Sequence, residues 1–170
     1  MGYPYNHESE VSIISEHFGD PDARTLKGWI KNGGYEGLKK ALAMSPEEVI
    51  EIVKNSGLRG RGGAGFPTGL KWSFMPKDSE KPHYLLCNAD ESEPGTFKDR
   101  ELLRWTPHQL IEGCAIGAYA IGAEQIYIYC RGEFFEANQV LGKAVEDAYE
   151  EGILGRNVFG SKITIELTVH

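Results

Sequence analysis

Two stretches of the chain hold residue types able to do chemistry. The first is Gly60-Arg61-Gly62-Gly63-Ala64-Gly65-Phe66-Pro67-Thr68-Gly69, with G-x-G-x-x-G at Gly60, Gly62 and Gly65. Glycines at that spacing let a backbone approach a phosphate closely. The usual dinucleotide fingerprint follows a strand, whereas a helical pattern precedes this loop, so the spacing alone also suits a surface hinge. The next residues, Leu70-Lys71-Trp72-Ser73-Phe74, add a cation and large rings. Exposed amides, a lysine and stacking faces are what a nucleotide needs. The second stretch is Cys87-Asn88-Ala89-Asp90-Glu91-Ser92-Glu93-Pro94-Gly95-Thr96-Phe97-Lys98-Asp99-Arg100, in which Asp90, Glu91 and Glu93 put three carboxylates within four residues. Such a set can bind a metal, orient ribose hydroxyls or do acid–base work, and it can equally be a solvated acidic turn. Asn88 both donates and accepts, as the edge of a flavin or a nicotinamide amide requires.

The elements that must position these stretches follow from periodicity. The first 40 or so residues are polar and weakly periodic, punctuated by Pro4, Gly19-Asp20-Pro21 and Gly33-Gly34. They are expected to pack over a domain surface, with a short helix near Tyr35 to Met44. Ser45 then caps a helix with Pro46 at its first position and Glu48 completing a capping box. Val49, Ile52 and Val53 mark its apolar face, and Gly57 offers a left-handed stop. Strands are expected at Tyr84 to Cys87, Ile126 to Cys130 and Ile163 to Val169. Helices fall between them, from Thr106-Pro107 through Ile121 and from Phe134 to about Tyr149. This alternation is that of a doubly wound α/β sheet. The expected fold class is α/β, a Rossmann-like parallel sheet with flanking helices, preceded by an N-terminal helical extension over residues 1–57. Ligands of such sheets bind beyond the carboxyl ends of the strands, where the acidic stretch falls.

Composition narrows the function classes. The 170 residues carry 18 Lys+Arg against 25 Asp+Glu, a net charge of −7, which argues against bulk nucleic-acid binding. Hydrophobic residues at 41% exclude wholesale disorder. No run nears the roughly 18 apolar residues of a membrane span, and Met1 to Glu16 lacks the pattern of a secretory signal. Cys87, Cys114 and Cys130 suggest a reducing compartment and small buried hydrophobes, with no local metal site. Trp29, Trp72 and Trp105 are expected in the core. The 21 glycines exceed the usual share of roughly 7%.

The two stretches, in this order, closely resemble the flavoprotein subunit of NADH:quinone oxidoreductase, the FMN- and NADH-binding subunit of respiratory complex I. Diaphorase subunits of NAD-linked hydrogenases and formate dehydrogenases share the pattern. Gly33-Gly34-Tyr35 before Leu38 to Leu42, Pro107-His108 onward, and Ile128 to Glu133 extend the likeness over nearly the whole chain. The resemblance implies a partial FMN/NADH-binding domain over residues 58–170. It assigns NAD binding to Gly60 through Gly69, Lys71, Phe74 and Glu93, with Phe66 and Phe74 stacking the adenine. It assigns FMN to Gly60, Arg61, Gly62, Lys71, Asn88, Asp90 and Glu91. No side chain is expected to act as a catalyst, because hydride transfer from NADH is flavin chemistry and electrons then leave singly for iron–sulfur centres. Family members continue into a Y-x-C-G-E-E-T segment, a ubiquitin-like domain and a [4Fe–4S] domain. The chain is therefore expected to be an N-terminal portion, with trace activity at most when alone. Implied partners are a thioredoxin-like [2Fe–2S] subunit and the large iron–sulfur subunit. The implied location is peripheral, on the cytoplasmic side of a bacterial inner membrane or the matrix side in a eukaryote. A nucleotide-binding module without redox activity and a scaffold domain with a hinge loop are the alternatives.

Overall fold

The computed structural model describes residues 9–170. Pro4 and the first half of the Met1 to Glu16 segment lie outside them.

The leading segment contributes Trp29, Tyr35 and Leu38 to the main core. A 3-10 turn, Asp22–Arg24, precedes helix α1 (Leu26–Lys31), which Thr25 caps by accepting from the Gly28 N–H. Helix α2 (Glu36–Leu42) follows the Gly33-Gly34 turn. A β-carbon at Gly34 would lie 2.1 Å from the Trp29 ring, so only glycine fits there. The Glu112 carboxylate accepts from Trp29 Nε1, Tyr35 N–H and Leu38 N–H, pinning this turn to the domain. Helix α3 (Pro46–Asn55) has the expected capping box between Ser45 and Glu48, and Gly57 takes φ 70° beyond its end.

A short helix α4 (Thr68–Trp72) leads to β1 (Tyr84–Ala89). Then come α5 (Lys98–Trp105), α6 (Pro107–Ile121), β2 (Gln125–Cys130), α7 (Phe135–Glu150), the two-residue β3 (Gly155–Arg156) and β4 (Thr164–Val169). The sheet order is β1-β2-β4-β3, parallel except for β3 against β4. The three expected strands and both connecting helices are present, and the parallel α/β class holds.

The doubly wound arrangement does not hold within the described residues. The α6 helix packs on one face of the sheet and against α7, whose Ala137, Leu141, Ala144 and Ala148 share the same core. That face buries Ile126, Ile128, Ile165 and Leu167. The opposite face leaves Leu86 78%, Tyr129 61% and Tyr84 50% exposed. Strand order running β1-β2-β4 in one direction, with right-handed crossovers, puts every connecting helix on the same side. The strands accordingly alternate buried and exposed instead of being apolar throughout.

Cys114 and Cys130 are buried and Cys87 half-buried, all as free thiols. Trp29 and Trp72 join the core. Trp105 differs from expectation. It is half-buried, with the guanidiniums of Arg24 and Arg104 over its ring at 4.8 and 5.3 Å and its Nε1 donating to the buried Glu101 carboxylate at 3.0 Å. Among the described residues no helix is long and apolar enough to cross a membrane.

Candidate functional site

The glycine loop is closed at its neck and held away from the core. Gly60 N–H donates to the Phe66 carbonyl and Thr68 N–H to the Leu58 carbonyl, both at 2.9 Å. Arg59 Nη1 adds a bond to the Gly65 carbonyl at 3.0 Å. Within the loop, Gly63 and Gly65 have φ 122° and 62°, a region open to glycine at no steric cost. Gly62 is different. Its φ is not left-handed, and a β-carbon there would meet nothing within 4 Å. Neither backbone strain nor packing among the described residues calls for glycine at that position. Gly69 is the opposite case: a β-carbon would lie 2.4 Å from the Lys54 amide nitrogen. Its glycine serves the packing of α4 on α3.

A cavity of about 590 Å³ opens beside the loop. Gly60, Gly62, Ala64, Gly65, Phe66, Thr68 and Lys71 line one side, with Tyr84 and Leu86 of β1 as the floor. Arg61 and Lys71 have no ion-pair partner among the described residues, so two free cations flank the glycines. Phe66 and Phe74 are 44% and 63% exposed, with ring centroids 6.1 Å apart and planes at 59°. A flat ring between two others needs about 7 Å, twice the van der Waals spacing. A base can therefore stack on one ring, and a sandwich requires the other to move. Pro67 stands at the loop neck as the residue before α4.

Tyr84, Leu86 and Asn88 alternate along the open face of β1, with Asn88 toward the strand's carboxyl end and outside the cavity's lining. Its Oδ1 accepts from the Asp90 N–H at 2.9 Å, leaving two amide donors. Asp90 Oδ2 accepts from the Ser92 hydroxyl at 2.8 Å. Asn88, Asp90 and Glu93 are exposed.

Glu91 stands apart from them. It is 5% exposed, and its carboxylate accepts from Asp99 N–H at 2.8 Å and Arg100 N–H at 3.1 Å. It thus caps α5, which has no side-chain cap of its own. The three acidic side chains do not converge, and among the described residues no group of three or more His, Cys, Asp or Glu is arranged to hold a metal.

Sequence reasoning missed two features. Tyr84 and Leu86 form the cavity floor, a role that the unbroken apolar run Tyr84-Leu85-Leu86-Cys87 does not distinguish from burial on both faces. Arg131, directly after β2, donates from Nη1 to the Glu91 carbonyl at 2.6 Å. Its signals were a basic residue at a strand's carboxyl end and its place within the Ile128 to Glu133 stretch of the likeness.

Residues 53–170 match the family model described as the Nuo51 FMN-binding domain. The chain is 54% identical over 151 residues to an NADH-quinone oxidoreductase subunit of Rhizobium meliloti (strain 1021), covering 88% of this chain and 36% of that one. It is 52% identical over 158 residues to an NADH-quinone oxidoreductase subunit of Streptomyces coelicolor, covering 93% and 35%. The chain thus spans about a third of the length of the curated relatives it matches. Among solved structures it is similar to a chain of NAD+-reducing [NiFe]-hydrogenase in the air-oxidized state. That likeness has a TM-score of 0.66 and 37% identity, over 85% of this chain and 24% of the other.

Proposed function

The chain belongs to the Nuo51 FMN-binding domain family, and on that premise we propose that it forms part of the FMN- and NADH-binding unit of an NADH–quinone oxidoreductase flavoprotein subunit. The observation that carries this reading is Gly62, a glycine its own fold does not need, set between two unpaired cations over an open apolar floor. A glycine without an internal reason marks a place where something else approaches the backbone.

When bound, FMN would accept a hydride from NADH and release electrons one at a time. The chain's own residues supply the rest. The amides of residues 60–65 offer donors to phosphate, and Arg61 and Lys71 balance its charge. Tyr84 and Leu86 exclude water from one side of a flat ring system. Asn88 and Asp90 hold the edge of the flavin, backed by Glu91, and Glu93 seats the nicotinamide end of NADH. Phe66 and Phe74 provide the faces for the adenine. Pro67, Thr68 and Gly69 hold the loop onto α4.

The subunit would work within a multi-subunit complex, beside a thioredoxin-like [2Fe–2S] subunit and a large iron–sulfur subunit. Its [4Fe–4S] cluster would lie in the C-terminal part of such a protein. The place would be peripheral, on the cytoplasmic or matrix side of the membrane. The hydrogenase likeness supports a second reading, a diaphorase subunit with the same site and a different electron acceptor.

The complete subunit tests the shared site. Gly62→Ala should leave the melting temperature of the flavin-free protein within about 1 °C, since the added carbon meets nothing. The same change should weaken FMN or NADH binding at least roughly tenfold, because a methyl group blocks close approach. Unaltered binding of both in titrations would remove the loop from the site.

A further inference from the structure

Strands β1 and β2 pair as far as the rung Ala89↔Cys130. Just past that rung, Arg131 reaches across and donates to the Glu91 carbonyl at 2.6 Å, extending the strand pairing by a side chain. The guanidinium is itself fixed. Its Nε and Nη2 donate to the Glu133 carboxylate at 3.4 and 3.3 Å, and it lies 5.6 Å from the Phe134 ring centroid. Asn138 Nδ2 donates to the Arg131 carbonyl at 3.0 Å, which ties the whole turn to α7. Glu91 is thereby held twice, by its main chain from β2 and by its carboxylate on the first turn of α5. Asp90 immediately before it and Glu93 two residues after it stay exposed, and Asn88 is bonded to Asp90.

We propose that Arg131 is a positioning residue for flavin binding, setting through the Glu91 carbonyl the loop that presents Asn88, Asp90 and Glu93 without itself touching the ligand. The proposal rests on the FMN-binding reading above. Preorganising a loop in its binding conformation raises affinity by removing the ordering cost at the moment of binding. With Nε and Nη2 on Glu133, Nη1 is aimed at the Glu91 carbonyl, an arrangement that a shorter or apolar side chain cannot reproduce.

The test uses the complete subunit with Arg131→Met, which keeps an unbranched apolar stem and removes the donors. In the flavin-free protein, amide hydrogen exchange over residues 90–100 should quicken by about tenfold or more, while the paired amides of β1 and β2 keep their protection. FMN and riboflavin, titrated separately, should lose affinity by the same factor, about tenfold. Loss confined to FMN would make Arg131 a phosphate contact and overturn the proposal. Unchanged exchange in the loop, or faster exchange across the whole sheet with flavin affinity kept, would overturn it as well. If the unsubstituted protein binds neither flavin, the functional reading fails, and the loop exchange still decides whether Arg131 sets the loop.

Discussion

His108 shows how one buried side chain makes stability depend on pH. It is fully buried on α6, its Nδ1 2.8 Å from the Tyr35 hydroxyl and its Nε2 without a partner among the described residues. Burial pushes its pKa down to about 4 from the ordinary 6.5, against a smaller opposing pull from Asp147. The unfolded chain therefore takes up a proton near pH 6.5 that the folded chain refuses until about pH 4. Between those values the unfolded state binds more protons, so stability is whole above the window and falls as pH drops through it. The slope approaches about 1.4 kcal/mol per pH unit, for a total of up to roughly 3 kcal/mol. Glu36, Glu47, Glu48, Glu133 and Glu136, whose pKa values are lowered chiefly by hydrogen bonds, add to acid sensitivity in the same direction. The comparison of His108→Gln with the parent isolates the histidine. Urea midpoints measured from pH 7 to pH 4 should fall less steeply in the variant. Parallel curves would mean that His108 gains its proton in the fold as readily as outside it.

At the scale of elements, the glycine loop depends on the close approach of the two helices that flank it. Gly69→Ala would drive a carbon to 2.4 Å from the Lys54 backbone nitrogen, and backbone cannot give way as a flexible side chain can. The cost should be about 1–3 kcal/mol, read as a lower melting temperature, with α4 and its Lys71 displaced. A melting temperature equal to the parent's would show that α3 and α4 separate freely. Gly62→Ala makes the matched control, since it adds the same methyl into open space. The sequence made these helices legible only in part. The run Ser45-Pro46-Glu47-Glu48 contains both halves of a cap, and Gly57 its stop, so α3 stands where local chemistry puts it. The α5 helix was hidden because its cap comes from Glu91, outside the helix, and its first turn reads as part of an acidic loop. For the same reason the run of acids did not show that the Glu91 carboxylate accepts from backbone. The apolar runs of β1 and β2 and the alternation of β4 were plain, but the side on which the helices lie is a property of strand order, which no single segment carries. The two-residue β3 has no periodicity to detect.

Across the whole molecule, the candidate site straddles two packing units of unequal size. The sheet, α6 and α7 share the large core that includes Ile111, Ile126, Ile128, Leu141 and Ile165. The α3 side rests on a separate small cluster of Ala41, Val49, Ile50 and Ala120, edged by Trp72 and Tyr119. Burying a side chain such as Val49 or Ile50 contributes roughly 1.5–3 kcal/mol each, so this cluster resists opening far less than the sheet does. The glycine loop, Lys71 and the two phenylalanines sit on the weaker unit, whereas Asn88 and Asp90 continue from β1 of the stronger one. A ligand touching both sides would tie them together, and its binding energy would appear as added stability of the weaker unit. Native-state hydrogen exchange in rising urea, below the global transition, should then show α3 and α4 opening first, at least about 2 kcal/mol easier than β2 and α6. In the complete protein, FMN with NADH should raise the α3 and α4 opening energy more than that of β2. If all four elements instead exchange through one global opening, with or without ligand, the two clusters form a single cooperative core and the loop is as firmly mounted as the sheet.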